Sequence, residues 1–189
     1  IKKFTSSGQY ISQFGSYGVA DGQFNEPEKL TFDSSGNIYV IDYSNHRVQK
    51  FDSSFNHLLS FGSYGTNPGQ FKYPEGIEVS PNGNIYVADT SNSRIQVFNP
   101  LGELVTTFGS QGTEDGYLKG PRGIEIDSSG NIYVVDNMNY RVQKFNSSHE
   151  FVLKFGSNGY GDGQFKAMSG IALDSLGNIY VTDKTNHNV

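Results

Sequence analysis

Four aspartates recur in this sequence at a constant spacing of 47 residues, and each is followed three residues later by an asparagine. The aspartates and asparagines are Asp42, Asp89, Asp136 and Asp183 with Asn45, Asn92, Asn139 and Asn186, and three of these pairs are followed by Arg47, Arg94 and Arg141. A ring of carboxylates could bind a cation or a sugar. Alternatively the aspartate shapes a turn by accepting backbone N–H bonds, with a left-handed asparagine and an arginine paired to the aspartate. The structural interpretation is favoured, because a feature present in every repeat is typical of a scaffold.

Positions at which the repeats differ are better candidates for function. One such position carries Thr31, Glu78, Glu125 and Ala172 on what we predict to be the innermost strand. Glu78 and Glu125 could bind a cation or do acid–base chemistry there. The alternative is that both carboxylates point into a wet channel and are solvated.

Two further sets of residues vary between repeats. His46 and His187 occupy equivalent turns, and two histidines with a carboxylate could hold a metal, with Ca or Zn as the candidate ions. Because no third ligand is evident, the sequence predicts no cofactor. The long connections between repeats also differ, and we expect an adaptable recognition surface there. Its candidate residues are Tyr17, Tyr64, Tyr160 and Gln111.

Short strands must position all of these residues. Within one period, four runs of alternating side chains are bounded by Gly, Asn, Asp, Ser or Pro, as strands are. The runs are "GIEVS" (76–80), "GNIYVAD" (83–89), "RIQVF" (94–98) and "ELVTTFG" (103–109). Three tight turns join them, so each period predicts a four-stranded antiparallel meander. A longer, glycine-rich connection (63–75) leads to the next one.

A single meander has two faces to bury and two open edges. Radial repetition packs each sheet against its neighbours, which predicts an all-β fold of the β-propeller type, with a solenoid as the alternative. We expect one domain over 1–189, with complete blades at 29–61, 76–108 and 123–155. The two chain ends, 1–14 and 170–189, supply complementary strands, so we expect them to form a composite blade that closes the ring.

The recurring pattern of "G-N-I-Y-V-x-D", "N-x-R-[IV]-Q-x-F" and "F-G" resembles the NHL repeat over essentially the whole chain. This resemblance implies a propeller, usually of about six four-stranded blades, whereas this chain encodes four, at the low end of the range for such folds. Self-association is expected if a four-blade ring does not close alone. The family contains interaction modules and some RNA-binding proteins, and related propellers include amidating lyases and lactonase-like enzymes.

The net charge and the hydropathy of the chain reduce the number of candidate functions. The net charge is −5 without any cluster of basic residues, which disfavours nucleic acid as a partner. No apolar run approaches the roughly 20 residues of a membrane-spanning helix. We therefore predict a non-catalytic scaffold that recognises a protein or a glycan through its variable loops, with an extracellular or cell-surface location as the working expectation. The alternatives are a metal-dependent hydrolase or lyase with a site in the central channel, and an RNA-binding module.

Overall fold

A computed structural model describes residues 1–187, and its regular structure consists of twenty β-strands and three short 3-10 turns. In chain order the strands are β1 (Lys2–Phe4), β2 (Tyr10–Gln13), β3 (Ser16–Tyr17), β4 (Gln23–Phe24), β5 (Pro27–Phe32), β6 (Ile38–Asp42), β7 (Arg47–Phe51), β8 (His57–Phe61), β9 (Gly76–Val79), β10 (Ile85–Asp89), β11 (Arg94–Phe98), β12 (Leu104–Phe108), β13 (Pro121–Ile126), β14 (Ile132–Asp136), β15 (Arg141–Phe145), β16 (Phe151–Phe155), β17 (Ser157–Asn158), β18 (Gln164–Phe165), β19 (Met168–Leu173) and β20 (Ile179–Asp183). The 3-10 turns are Tyr43–Asn45, Thr90–Asn92 and Asn137–Asn139. Among residues 1–187 there is no helix of the length and hydropathy that crossing a membrane would require.

Three sheets are complete antiparallel meanders. Blade one is β5-β6-β7-β8, blade two is β9-β10-β11-β12, and blade three is β13-β14-β15-β16. The predicted all-β class and four-stranded blades are confirmed here. Blades one and three begin two residues earlier than expected, because Pro27 and Pro121 pair with Asp42 and Asp136 across an irregularity in the ladder.

The hydrophobic core lies between blades. Alternate residues of β10 point to opposite faces, as the period of a strand requires. Ile85 and Val87 pack toward blade one with Tyr39, while Tyr86 and Ala88 pack toward blade three. Blade two therefore has two apolar faces, which blades one and three cover.

The two ends of the chain form hairpins. β1 pairs with β2, β19 pairs with β20, and the two hairpins belong to separate sheets. Within residues 1–187 no strand pairing joins β1 to β20. The closed four-blade ring and its composite blade therefore stay predictions, and residues 188–189 of that blade lie outside the described part of the chain.

The long connections fold back along the blades instead of looping freely. In the first, β3 pairs with β4 in parallel, and the bridges Tyr64–Phe71 and Gln111–Leu118 repeat this pairing in the next two. The second residue of each pair enters the core: Phe71 is fully buried against Phe61 of blade one and Phe98 of blade two. The connections are thus anchored between blades, and their remaining residues are presented to solvent.

Candidate functional site

The repeated aspartates organise a polar module at the end of each second strand. Asp89 is fully buried. Its Oδ2 accepts hydrogen bonds from Arg94 Nε at 2.8 Å and Gln96 Nε2 at 3.0 Å. Its Oδ1 accepts the backbone N–H of Lys72, in the long connection, at 2.7 Å. Arg94 also donates to the carbonyls of that connection. The module therefore fastens the connection to the blade by charge-assisted hydrogen bonds.

The same module recurs around Asp42 and Asp136. Arg47 and Arg141 bind these two aspartates at 2.8 and 2.7 Å. The glutamine of each module, Gln49, Gln96 or Gln143, was not singled out from the sequence, although its recurrence beside the arginine was a usable signal.

One part of the predicted turn is wrong. The left-handed residue is the one after each asparagine, with φ between 54° and 56° at His46, Ser93, Tyr140 and His187. The asparagine itself lies in a 3-10 turn. From there Asn45 Nδ2 donates to both Asp42 Oδ2 and the carbonyl of Gly18, each at 2.9 Å. The left-handed conformation therefore falls on the next residue, His46.

The predicted axial carboxylates lie on neighbouring inner strands beside a lysine. Glu78 Oε1 accepts the hydroxyl of Thr31 at 2.8 Å, and its Oε2 lies 3.9 Å from Lys29 Nζ. Lys29 also donates to the carbonyl of Ile124 in blade three at 3.3 Å. Burial raises the pKa of Glu125, the charge of Glu78 adds to this, and Lys29 opposes it. At this level of the axis, the protein therefore supplies its own cation to the carboxylates.

A second group of charges lies at the loop end of the axis. It surrounds an open cavity of about 370 Å³, which we call the mouth cavity. The mouth cavity is lined by Glu26, Glu28, Tyr43, Glu75, Arg122 and Lys184. Arg122 Nε lies 3.1 Å from Glu75 Oε2, without the alignment of a hydrogen bond. Burial raises the pKa of Glu75 and Glu28 adds to it, whereas Arg122 and Lys184 lower it. Carboxylates and cations thus face one space.

The mouth cavity was not predicted from the sequence. Glu28, Glu75, Arg122 and Ser169 occupy one equivalent position, so the signal was the difference between repeats in residue type. In two of the four repeats, at Glu75 and Arg122, that position stands between a proline and a glycine, where a turn is the ordinary interpretation. Only the fold shows that this position faces the axis from four successive inner strands.

An aromatic cluster adjoins the mouth cavity. We define it as Tyr43, His46, Tyr64 and Tyr73. The ring of His46 lies 4.9 Å from Tyr64 and 4.6 Å from Tyr73, and Tyr43 lies 5.2 Å from Tyr73. His46 Nδ1 accepts the backbone N–H of Tyr73 at 3.2 Å, and burial lowers the pKa of His46. Tyr64 is 61% exposed, so the cluster presents ring faces to solvent.

Two residues beside this site adopt a left-handed backbone. Glu26 and Tyr73 have φ of 57° and 52° at the position that Gly120 occupies in blade three. Glycine adopts this conformation without a Cβ penalty, whereas other residues do so at a cost of about 1 kcal/mol. Blades one and two therefore keep a side chain at the mouth despite that cost.

The predicted recognition residues lie on different long connections. Tyr17 and Tyr160 are 82% and 75% exposed, and Lys166 Nζ lies 4.8 Å above the ring of Tyr160. Gln111 is also exposed. Among these four residues, only Tyr64 joins the aromatic cluster, so the structure spreads the predicted surface around the loop face.

The metal candidates are not part of a ligand cluster. Among residues 1–187 no group of three or more His, Asp or Glu side chains is placed to hold a metal ion. His46 belongs to the aromatic cluster, and His187 is exposed in the turn after β20. The expectation that the chain holds no cofactor, with Ca or Zn as the candidate ions, therefore stays a prediction.

The sequence matches two known repeat families. The family model described as the NHL repeat matches residues 24–51, 71–98 and 118–145. A model described as a β-propeller repeat matches residues 168–189. The chain belongs to the NHL-repeat β-propellers. The matched NHL segments each begin at the buried residue of a long connection and end with the third strand, so they contain the whole polar module.

Two curated relatives match over a single stretch of 40 residues each. B-box type zinc finger protein ncl-1 of Caenorhabditis elegans is 45% identical, and Protein brain tumor of Drosophila melanogaster is 42% identical, each over 40 residues. Each match covers 21% of this chain but only 5% and 4% of those proteins. The chain therefore spans a small part of the length of these relatives.

Solved structures match over nearly the whole chain. A gluconolactonase from Xanthomonas campestris superposes with a TM-score of 0.68 at 19% identity, over 96% of this chain and 61% of that one. Virginiamycin B lyase from Staphylococcus aureus gives 0.64 at 15% identity, over 96% and 62%. A protein of unknown function from Bacteroides caccae gives 0.69 at 15%, over 96% and 63%. At these identities the likeness establishes the propeller fold alone.

Proposed function

We propose that this NHL-repeat chain is a non-catalytic recognition scaffold, which binds a protein or glycan partner on its loop face across the mouth cavity and the aromatic cluster. The observation that carries the proposal is the mouth cavity, in which Glu28, Glu75 and Arg122 stand at one repeat position and face a common opening. Sites of this kind combine a concave surface with a few convergent polar groups.

The residues around the opening define the chemistry of the partner. The carboxylates around the opening accept hydrogen bonds from hydroxyl or cationic groups, while Arg122 and Lys184 donate to oxygen acceptors. Tyrosine rings offer large contact faces at a low entropic cost, because only two torsions are fixed. A polypeptide segment or a sugar chain supplies both polar groups and flat apolar faces, so either one fits this site.

The polar modules support this proposal by exclusion, because their aspartates are not available to a partner. Asp42, Asp89 and Asp136 are buried and already bound by groups of their own blades. Recognition is therefore assigned to the mouth and not to the ring of aspartates.

A binding screen tests the proposal. The chain would be panned against a displayed peptide library and a glycan array, and the affinity of any ligand retained would be measured for variants Tyr64→Ala and Glu75→Gln. Because a central contact residue typically contributes about 1 to 2 kcal/mol or more, each substitution is expected to weaken binding by about tenfold.

The control is Val105→Ala, a residue that is 55% exposed on the outer strand β12, away from the loop face. It is expected to leave affinity unchanged. A ligand whose affinity depends on Val105 and is indifferent to Tyr64 and Glu75 would place recognition elsewhere and contradict the proposed site.

A further inference from the structure

The contact between neighbouring blades is the same at every junction inside the molecule. The tyrosine of each second strand is covered by the next blade, so Tyr39, Tyr86 and Tyr133 are 0%, 4% and 7% exposed. On the facing side, Ile77 and Ile124 of the next inner strands are fully buried. Three junctions thus define what each face of a blade packs against.

At the two outermost faces the same positions are open. Tyr180, the equivalent of those tyrosines, is 49% exposed. At the other end, Leu30 and Phe32 on β5 are 36% and 58% exposed. Pro27 is exposed too, whereas its equivalent Pro74 is buried. At an internal junction, a tyrosine of one blade packs against apolar residues on the inner strand of the next blade. Here the tyrosine lies on one outer face and the apolar inner-strand residues lie on the other, and both are exposed.

A cavity opens at the first outer face. It is apolar, encloses about 300 Å³ and lies between the β1-β2 hairpin and blade one. Phe14 and Phe55 line it as a stacked pair at 4.4 Å. At the second internal junction the equivalent pair, Phe108 and His149, is stacked at 4.7 Å.

That second junction shows which side chain belongs on such a pair. Tyr86 lies against the equivalent pair, and its hydroxyl is 3.1 Å from His149 Nε2. Tyr180 is the residue that corresponds to Tyr86 in the last repeat, and Phe14 and Phe55 correspond to the pair. The cavity therefore lies beside the aromatic pair that the second internal junction sets against a tyrosine of this repeat position.

The charges at the two ends are also complementary. Asp183 is only 2% exposed, and within residues 1–187 its hydrogen-bond donors are backbone N–H groups, such as those of Lys166 and Ala167. In the sequence Asn188 stands where the other modules have arginine, while Lys2 stands where they have glutamine. The cation of this last module is thus encoded at the opposite end of the chain, on the exposed residue Lys2.

We propose that this surface is a joint between two copies of the chain, in which β1-β2 of one copy and β19-β20 of the other form one four-stranded blade. β20 then pairs with β1 in the register that β6 and β7 show, which sets Tyr180 opposite Lys3 as Tyr39 is opposite Lys50. Lys50 Nζ lies 5.0 Å above the ring of Tyr39, and Lys3 repeats this contact on Tyr180.

A second copy, and not the other end of the same molecule, is the occupant that the geometry favours. The two hairpins of one molecule lie in separate sheets within residues 1–187. The chain also superposes over 96% of its length on solved propellers of which it covers only 61% to 63%, so its repeats match part of such a ring. The contact is head-to-tail, and such contacts form rings when the rotation closes. Two copies supply six complete and two composite blades, which is the upper end of the usual range of about four to eight.

Disulfide trapping tests the joint directly, because the chain contains no cysteine. Variants Lys3→Cys and Tyr180→Cys would be made separately, mixed and oxidised. Directly opposed residues of paired strands lie within disulfide range. The expected result is a dimer in the mixture, joined by a disulfide between the two introduced cysteines and identified by peptide mass spectrometry. Leu101→Cys, 71% exposed on a turn of blade two, replaces Tyr180→Cys in the control mixture and should give no such product.

Two outcomes would overturn the proposal. If the mixture gives no dimer while the double variant Lys3→Cys with Tyr180→Cys forms a disulfide within a monomer, the ring closes on itself. If neither sample is cross-linked, the two ends do not meet in this register.

Native mass spectrometry over a concentration series supplies a measurement without cysteines. The unmodified chain is expected to dimerise, and Phe32→Asp is expected to weaken dimerisation at least tenfold. Val105→Asp is the matched control, since Val105 is similarly exposed at 55% but lies on an outer strand. A chain that stays monomeric up to about 1 mM, where binding is worth only about 4 kcal/mol, would contradict the proposal.

Discussion

The polar modules and the mouth cavity both belong to the loop side of the molecule, yet they are constructed in opposite ways. Asp42, Asp89 and Asp136 are fully buried, and each is bound by the same side chains in its own blade. The position that lines the mouth changes from Glu28 and Glu75 to Arg122 and Ser169 in successive repeats. One region repeats its chemistry, and the other varies it.

This difference shows how a repeat protein separates stability from recognition. In a module, every polar group has a partner within the blade and its own connection, so a copy in each blade fastens that connection without an outside ligand. At the mouth, Glu28, Glu75 and Arg122 converge on one opening, where Arg122 is paired with Glu75 and not with Glu28. Partners from outside can therefore compete for them.

Removing the aspartate of a module should have the largest effect. Asp89→Ala leaves the guanidinium of Arg94, only 15% exposed, without its carboxylate. Breaking a buried pair in this way costs about 3 to 5 kcal/mol. Urea unfolding followed by circular dichroism measures the loss. Asp115→Ala, whose side chain is 48% exposed, is the control and should change stability by less than about 1 kcal/mol. Equal losses in the two variants would contradict the structural role of the module.

The next test compares two equivalent residues, one at an internal junction and one at the outer face. Ile77 is fully buried at an internal junction, whereas its equivalent Leu30 is 36% exposed at the outer face. Ile77→Ala should cost about 2 to 5 kcal/mol because it leaves a cavity in a packed core. Leu30→Ala should cost less than about 1 kcal/mol in dilute solution, where copies are separate.

Thermal unfolding of both variants at two protein concentrations checks this pair. If the proposed joint forms, the cost of Leu30→Ala rises at the higher concentration, while that of Ile77→Ala does not. A Leu30→Ala variant as unstable as Ile77→Ala in dilute solution would show that the outer face is already covered.

A smaller, pH-dependent effect is expected at the axis. Burial, with the charge of Glu78, holds the pKa of Glu125 above its ordinary value of 4.5. The folded state therefore binds this proton more tightly than the unfolded chain does. The contribution of Glu125 to stability is full below pH 4.5 and is lost as the pH rises through the folded pKa.

Glu125→Gln removes this titration, so its stability should fall less between pH 4.5 and neutrality than that of the parent chain. Urea unfolding at several pH values measures the two slopes, with the exposed Glu103→Gln as the control. Parallel slopes for all three proteins would contradict the buried state of Glu125.

Much of the fold could be predicted from the sequence, because the physics behind it is local and occurs in every repeat. The alternation in "NIYVAD" determines which residues of β10 face each neighbouring blade, and the glycine and asparagine turns set the strand lengths. The left-handed residue was misplaced by one, because the sequence does not reveal that the amide of Asn45 is needed to bind Asp42.

The candidate site was less accessible to sequence reasoning, since it depends on contacts between distant repeats. Glu78 was recognised as axial, but its neighbour Lys29 lies at a position where the other three repeats have glycine, and nothing local marks it as a partner. Arg122 meets Glu75 only because their inner strands are adjacent. The available signal was the variation in residue type at the position of Glu75 and Arg122. Only the folded structure shows that this position lines a cavity.

The smallest expected effect on stability belongs to Tyr64, and it separates recognition from scaffold most sharply. Tyr64 is 61% exposed and contacts the ring of His46, whose Nδ1 is held by the backbone of Tyr73 and not by Tyr64. Tyr64→Ala should therefore change the free energy of unfolding by less than about 0.5 kcal/mol. It should nevertheless weaken binding of any ligand selected on the loop face, and Tyr64→Phe should restore most of that affinity through the ring. A loss of more than about 1 kcal/mol in Tyr64→Ala unfolding would instead make the ring part of the scaffold, because surface substitutions outside the core seldom cost so much.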